Sequence, residues 1–146
     1  MLTDVIYVQK NDTLRHLLTV FIDNQIASVP VVDETMRLQG MISDGDVFQT
    51  LTPMDREIGM IYSFAYTIPE PEARDVIHAE IEKPVKKVMT RKKLLYLQEE
   101  DDIKDVFTIL SKHPVKKIPV VDEEKRVVGV INRGSMMRYV AEKAVE

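Results

Sequence analysis

The polar side chains best spaced for ligand binding lie in the stretch GMISDGD, where Ser43 and Asp46 are three residues apart. An aspartate at this place can cap the helix that follows it, or it can bind a ligand, and both interpretations stay open. A calcium loop is disfavoured because the other oxygen ligands of an EF-hand are missing. A matching stretch, GVINRGS, has Asn132 and Ser135 at the corresponding positions, so only one copy carries a carboxylate there.

No catalytic or metal-binding pattern stands out in the sequence. The chain has no cysteine, and its three histidines, His16, His78 and His113, are scattered without metal-ligand spacing. No serine lies in a nucleophile elbow, and neither type of glycine-rich phosphate loop occurs. We therefore expect a protein that is not an enzyme and that holds neither a metal nor a covalent cofactor.

The elements that must position Ser43 and Asp46 belong to an internal repeat. Residues 8–51 align without a gap with residues 97–140, and twelve of the 44 aligned positions are identical. A single unit of this size is too small to bury its own sheet face, so the repeat predicts two units that share a core.

Each copy predicts the order strand, helix, strand, strand, helix. Asp12 and Asp101 are the predicted N-caps of the first helix. The apolar stripe of that helix recurs at i, i+3, i+4 and i+7, with Leu14, Leu17, Leu18 and Phe21 in one copy and Ile103, Val106, Phe107 and Leu110 in the other. VIYV and LLYL are the predicted leading strands, and the second helix is predicted to begin around Gly45 or Gly134.

A hairpin connects the two later strands of each copy. Asp33 and Asp122 follow its first strand and are expected to start the turn by bonding nearby backbone. Pro30 and Pro119 lack an amide donor, so we place them at a strand start or edge.

The predicted domain organisation is a first repeat at 1–51, a helical spacer at 52–84 and a second repeat at 85–146. Two spacer helices are predicted, over 55–68 and 72–82, separated by the sequence PEP. The second has one apolar face with charges opposite.

The composition of the 146-residue chain limits its partners. The net charge of −4, with both signs interspersed, argues against broad nucleic-acid binding. Neither a signal peptide nor an apolar run long enough for a membrane span is recognisable, and cysteine is absent. We expect a cytoplasmic protein.

The pattern PVVD…GxIS..D, which occurs twice after a capped amphipathic helix, resembles the CBS domain (cystathionine-β-synthase-type) family. The sequence VKKVMT before the second copy is similar to the lead-in of that family. The resemblance implies an α+β fold, with two β-α-β-β-α repeats packed about a pseudo-two-fold axis and a helical spacer between them. It also implies two equivalent clefts that bind adenosine-containing ligands.

The resemblance places a ligand beside the first GMISDGD. It implies that Ser43 and Asp46 contact phosphate and ribose, and a carboxylate at a helix start suits a ribose diol. Met41 would line the base. From the other repeat, three residues would flank the adenine and two would contact phosphate: Leu94, Leu95 and Tyr96, and Lys116 and Lys117.

The second cleft departs from the family pattern because it has no carboxylate. It would use Asn132 and Ser135, facing Ala27 and Ser28. Arg133 compensates in part only if it points into the cleft, and its direction is not readable from the sequence. Its base pocket would be formed by Val5, Ile6 and Tyr7. We expect one competent site per chain and a second, weaker one.

Two functional hypotheses follow. The first is a regulatory module that senses AMP, ADP, ATP or a related adenosyl ligand and signals by conformational or oligomeric change, as a homodimer with a regulated protein partner on its spacer helices. The second is a ligand-free dimerisation or interaction scaffold. Its apolar candidates are Ile58, Ile61, Tyr62 and Phe64 in the spacer, and residues 136–140 near the C-terminus.

Overall fold

The computed structural model describes residues 5–52 and 70–146. The first repeat comprises β1 (Val8–Gln9), α1 (Leu14–Asn24), β2 (Ser28–Val32), β3 (Leu38–Ser43) and α2 (Asp44–Leu51). The helix α3 (Glu70–Glu80) and a short 3-10 turn (Val85–Lys87) come next. The second repeat comprises β4 (Leu97–Gln98), α4 (Ile103–Lys112), β5 (Lys117–Val121), β6 (Val127–Asn132) and α5 (Arg133–Ala144). The predicted order of elements is confirmed in both copies.

Each repeat contains a three-stranded sheet, ordered β1-β2-β3 and β4-β5-β6. The leading strand is parallel to the middle strand, and the other two strands form the predicted antiparallel hairpin. The leading strands were predicted too early, because pairing with the middle strand begins only at Val8 and Leu97. VIYV and LLYL therefore contribute only their last residue to the sheets.

The placement of Pro30 and Pro119 at a strand start or edge is wrong, since both lie inside the middle strand of their sheet. They are tolerated because the leading strand is so short. In the first repeat β1 pairs only with Val31 and Val32, so no leading-strand residue faces Pro30. The missing amide donor of the proline therefore costs no hydrogen bond with β1.

The predicted N-caps Asp12 and Asp101 are each wrong by one residue. The caps are Thr13, whose Oγ1 accepts from the amide of His16 (3.1 Å), and Asp102, whose Oδ1 accepts from the amide of Lys104 (2.9 Å). Asp12 and Asp101 instead accept the amides of Gln9 and Gln98, at 2.7 and 2.8 Å. They turn the chain out of the leading strand, and the helix begins two residues later.

Both hairpin turns are organised by their aspartates, as predicted. Asp33 Oδ1 accepts the amides of Thr35 and Arg37, at 2.8 and 3.0 Å. Asp122 Oδ1 makes the corresponding bonds to the amides of Glu124 and Arg126, both at 2.9 Å. Because these amide donors favour the charged carboxylate, they stabilise the turn most while the aspartates are ionised.

The two repeats meet about a pseudo-two-fold axis. The amide of Leu38 donates to the carbonyl of Lys125 (2.9 Å), and the amide of Val127 donates to the carbonyl of Met36 (2.8 Å). These two bonds exchange under the 89-position offset of the repeat.

Three valines, Val32, Val121 and Val127, form a buried cluster between the repeats. Burial of each valine contributes about 1.5–3 kcal/mol, so the interface is a stable part of the fold.

The segment after α3 returns to the first repeat. The carbonyls of Ile81 and Lys83 accept the amides of Arg15 and Leu14 (2.8 and 3.0 Å), which are unpaired donors at the start of α1. Val85 is fully buried in the core of the first repeat. Of the two predicted spacer helices, 72–82 corresponds to α3, and 55–68 lies outside the described residues. No helix in residues 5–52 or 70–146 is long and apolar enough to cross a membrane.

Candidate ligand-binding site

Asp46 lies in the first turn of α2, and the structure shows what holds its carboxylate. Oδ2 accepts from the backbone amide of Ser43 (3.0 Å) and from the Ser43 hydroxyl (3.3 Å). Oδ1 accepts from the Thr90 hydroxyl at 3.1 Å. The capping interpretation of Asp46 is thus realised, and these three bonds fix the carboxylate at the strand–helix junction.

Thr90 was not singled out in the sequence, although it ends the lead-in VKKVMT. Its amide and carbonyl pair with those of Met41, at 2.8 and 3.0 Å, so the lead-in lies along the edge of β3. Gly40 permits this approach, because a Cβ at that position would lie only 2.6 Å from the Thr90 carbonyl oxygen. A glycine at this point of β3 was the available signal that another backbone comes close.

Lys117 is the charged side chain that reaches this end of the first repeat from the second. Its Nζ donates to the carbonyl of Ser28 (3.1 Å), and Ser28 pairs with Ser43 across β2 and β3. Burial lowers the pKa of the Lys117 ammonium group. Within the described residues no carboxylate lies within ion-pair distance of Lys117. An ammonium group has three donors, so two remain for an anion.

The other predicted site residues fall into two groups. Met41 is half-buried beside Thr90, and Lys116 is exposed. Leu94 and Leu95 are half-buried in the segment that leads into β4. Tyr96 packs against the valine cluster between the repeats, at the hairpin end of β3 rather than the Ser43 end. The structure therefore brings Met41, Ser43, Asp46 and Lys117 to one end of the sheets and leaves Tyr96 towards the other.

A cavity of about 530 Å³ opens on the helical side of Asp46, between α2 and α3. The lead-in closes one side of it with Lys87 and Val88. Asp46 thus lies between this cavity and the sheet end that Lys117 reaches.

The second cleft has a different chemistry at the corresponding positions. Asn132 Oδ1 accepts the amides of Gly134 (2.8 Å) and Ser135 (3.4 Å), so Asn132 caps α5. The direction of Arg133, which the sequence leaves open, is defined by the structure. Its guanidinium donates to the carbonyls of Leu110, His113 and Val115, at 2.8, 2.5 and 2.7 Å, in the last turn of α4 and just after it. These bonds satisfy orphan carbonyls and direct the positive charge away from the cleft.

The facing residues of the second cleft, Ala27 and Ser28, carry no charge of their own. Ala27 is exposed, and the carbonyl of Ser28 is taken by Lys117. Val5 packs at the inter-repeat cluster, while Ile6 and Tyr7 are exposed. The two clefts therefore share a backbone and differ in the side chains that would bind a nucleotide.

Comparison with known sequences decides the family. The family described as CBS domain matches residues 1–52 and 85–142, which is most of the chain and both repeats. The chain belongs to the CBS domain family. It is a CBS pair, in which the matched segments are separated by residues 53–84.

Two curated relatives illustrate how far the similarity extends. An uncharacterised protein of Methanocaldococcus jannaschii is 25% identical over 90% of this chain and 83% of its own length. The CBS domain-containing protein CBSX1, chloroplastic, of Arabidopsis thaliana is 28% identical over 92% of this chain. The chain spans 58% of the length of CBSX1.

Solved structures confirm the fold of this CBS pair. Protein MJ1225 from Methanocaldococcus jannaschii superposes with a TM-score of 0.76 at 21% identity, covering 97% of this chain and 48% of its own. CBSX2 of Arabidopsis thaliana, in complex with AMP, has a TM-score of 0.70 at 19% identity, covering 97% and 90%. The CBS domain pair of protein MJ0100, in complex with 5′-methylthioadenosine and S-adenosyl-L-methionine, has a TM-score of 0.67 at 22% identity, covering 97% and 93%.

Proposed function

We propose that this CBS pair is a cytoplasmic regulatory module that binds an adenine nucleotide beside Asp46, with Lys117 contacting the phosphate. The observation that carries the proposal is the fixed Asp46 carboxylate at the sheet end that the Lys117 ammonium group reaches from the other repeat. The AMP complex of CBSX2 and the adenosyl complexes of MJ0100 support an adenosine-containing ligand.

The bonds of Asp46 define how the ribose would be received. A carboxylate has about four lone-pair sites, and three are already used by Ser43 and Thr90. A ribose diol brings two donors, so one existing donor must yield. The Ser43 hydroxyl makes the longest of the three bonds, at 3.3 Å, and it is the one that rotates away. The released hydroxyl then becomes a donor for the ligand phosphate.

The charge of Lys117 selects among adenosyl ligands. A phosphate attracts the ammonium group, whereas the sulfonium of S-adenosylmethionine repels it. Ligand binding also restores a counter-ion to a lysine whose pKa is lowered by burial. We therefore expect AMP, ADP or ATP to bind more tightly than methylthioadenosine or S-adenosylmethionine.

Lys117 also connects the ligand to the arrangement of the repeats. Because its Nζ bonds the carbonyl of Ser28 in the other repeat, a phosphate that draws it away changes a contact across the pseudo-two-fold axis. The two repeats can then adopt two relative arrangements. The ligand favours the arrangement that it binds more tightly, and the shift is limited by the difference between its binding free energies for the two. The proposal also includes a homodimer of this chain and a regulated protein partner. We propose that the chain consists of a first repeat (1–51), a spacer (52–84) and a second repeat (85–146).

Thermal unfolding with each ligand tests the proposal. A ligand at 100 times its Kd stabilises the folded state by about 2.7 kcal/mol, so the melting temperature rises. Asp46→Asn keeps the shape of the side chain and removes its charge. We expect this variant to bind AMP at least ~100-fold more weakly, because each charge-assisted bond from a ribose hydroxyl to the carboxylate contributes about 1.5–3 kcal/mol. Ser135→Ala is the matched control at the corresponding position of the second repeat.

If no adenosyl ligand raises the melting temperature, the sensor is refuted and the scaffold hypothesis stands. One observation favours that alternative. Phe48 and Met137 occupy corresponding positions of α2 and α5 and are 65% and 62% exposed, so both repeats present an apolar residue on the same helix.

A further inference from the structure

Asp44 and Gly45, in the first turn of α2, form the one Asp-Gly or Asn-Gly pair of the sequence. An aspartate that precedes a glycine can close a ring onto the backbone, because the glycine carries no Cβ to hinder the approach. Both residues are exposed. The nearest atom that a Cβ on Gly45 would meet is the Ser43 hydroxyl oxygen, at 3.6 Å, so the space around this peptide bond is open to water.

The carboxyl group of Asp44 lies against the nitrogen atom of Gly45. Asp44 Oδ1 accepts the amide of Gly45 at 2.7 Å. An amide in the first turn of a helix has no intrahelical carbonyl to bond, so the Gly45 amide is not committed to the ladder of helical hydrogen bonds. The two groups that would react are therefore already in contact, and their reaction costs no helical bond of that amide.

The second repeat has the same strand–helix junction without the reactive pair. The corresponding residues are Arg133 and Gly134, and Arg133 has no carboxyl group that could close a ring. The amide of Gly134 donates instead to Asn132 Oδ1, at 2.8 Å. The second repeat is thus a natural control for the first, and the chemistry of Asp44 is confined to the repeat that contains Asp46.

The reaction is a dehydration followed by a hydration. The Gly45 nitrogen forms a bond to Cγ of the protonated Asp44 carboxyl group, the bond from Cγ to its hydroxyl breaks, and the hydroxyl leaves as water with the amide proton. The product is a five-membered succinimide ring. Water then adds to the main-chain carbonyl carbon of Asp44, and the bond from that carbon to the Gly45 nitrogen breaks. The chain now runs through Cβ and Cγ, and the residue is isoaspartate with its composition unchanged.

The additional methylene of isoaspartate would fall between two residues that must stay in register. Asp46 Oδ2 accepts from the amide and the hydroxyl of Ser43, at 3.0 and 3.3 Å, across the link between Asp44 and Gly45. These bonds belong to the capping box of α2. A longer backbone at this link moves Ser43 away from the first turn, so the Asp46 carboxylate loses the donors that fix it.

We propose that the Asp44–Gly45 link is a site of spontaneous isoaspartate formation in the folded protein, and that the product disables the Asp46 site while it leaves the second repeat intact. The formation of isoaspartate stands on the sequence and on the contact between the two residues. Its effect on nucleotide binding rests on the proposed function.

The test follows the folded full chain through weeks of incubation at physiological temperature in water enriched in heavy oxygen. Peptide mapping should find heavy oxygen in the peptide that contains Asp44, and isoaspartyl methyltransferase with labelled S-adenosylmethionine should methylate that same peptide. Asp44→Glu keeps the charge but cannot close a five-membered ring, so it should give neither signal. Gly45→Ala should slow the reaction about tenfold, because a Cβ beside the attacking nitrogen raises the barrier.

Titration with AMP then compares fresh and aged protein. The aged wild type should lose AMP-binding sites in proportion to its isoaspartate content, whereas aged Asp44→Glu should bind as the fresh variant does. The inference is overturned if the folded chain forms no isoaspartate at Asp44, if the product appears only after unfolding in urea, or if the modified chains bind AMP as well as fresh ones. If fresh protein binds no AMP, the proposed function fails. Peptide mapping and the melting temperature then decide the inference, because loss of the cap should lower the melting temperature of the aged wild type and not that of Asp44→Glu.

Discussion

Replacing Gly40 by alanine should loosen the lead-in from the first repeat. The added Cβ would lie 2.6 Å from the Thr90 carbonyl oxygen and 2.9 Å from the Met89 sulfur. The sulfur can move, but the carbonyl belongs to a backbone bridge with Met41 made of two bonds, at 2.8 and 3.0 Å. The backbone must therefore shift.

The loss of stability in Gly40→Ala has two contributions, overpacking and the weakening of the backbone bridge. Overpacking costs about 1–3 kcal/mol. Weakening the two bridge bonds adds up to about 1 kcal/mol each. We expect Gly40→Ala to lower the free energy of unfolding by about 2–4 kcal/mol and the melting temperature by several degrees. Because the Thr90 hydroxyl also donates to Asp46, a shift of the lead-in backbone should lower AMP affinity as well.

Gly45→Ala is the matched control. At Gly45 a Cβ would meet only the Ser43 hydroxyl oxygen, at an ordinary 3.6 Å, on the exposed first turn of α2. Alanine favours the helix by about 0.5–1 kcal/mol relative to glycine, so this variant should be more stable than wild type. Urea unfolding followed by circular dichroism measures the free energy of unfolding of both variants. If Gly40→Ala is as stable as the wild type, the close approach of the lead-in is refuted.

Three further predictions concern single side chains. Arg133→Met leaves three carbonyls at the C-terminal end of α4 and just after it without their side-chain donor. It should lower the free energy of unfolding in urea by about 1–3 kcal/mol, while AMP affinity, measured by calorimetry, stays unchanged. The side-chain bond from Thr35 lowers the pKa of Asp33, and the backbone bond from Arg126 lowers the pKa of Asp122. Since these folded-state pKa values lie below the ordinary 3.8, their stabilisation is present above pH 3.8 and is lost as the pH falls through them. Asp33→Asn and Asp122→Asn should therefore flatten the acid side of a plot of melting temperature against pH, and an unchanged acid side would contradict this. Burial lowers the pKa of Lys117 below 10.5, so the folded state releases this proton first and stability should rise between the lowered value and pH 10.5. That rise should be absent in Lys117→Met, which should also bind AMP more weakly; a variant with wild-type affinity would remove Lys117 from the site.

The order of elements was predictable because it depends on local pattern. Apolar stripes such as Leu14, Leu17 and Phe21 predict a helix without knowledge of its neighbours, and Asp33 and Asp122 act on residues two to four positions away. Contacts distant in sequence were not predictable. Thr90 reaches Asp46 over 44 positions, and its role depends on where the lead-in crosses β3.

The N-cap errors in the first helices and the open direction of Arg133 have a similar physical cause. Thr13 and Asp102 each follow an aspartate that could cap the helix equally well. Only the backbone geometry decides which of the two neighbouring residues becomes the N-cap. The direction of Arg133 depends on the carbonyls at the C-terminal end of α4, which are distant in sequence and which no local pattern reveals. The asymmetry between Asp46 and Ser135, in contrast, is a difference of residue type and was visible in the sequence.

The central claim is that one cleft of the pair, the one beside Asp46, binds an adenine nucleotide. Isothermal titration of the wild type, Asp46→Asn and Ser135→Ala with AMP tests it most directly. The claim predicts one AMP per chain for the wild type and for Ser135→Ala, and at least ~100-fold weaker binding for Asp46→Asn. Two equal sites per chain, or unchanged affinity in Asp46→Asn, would contradict it.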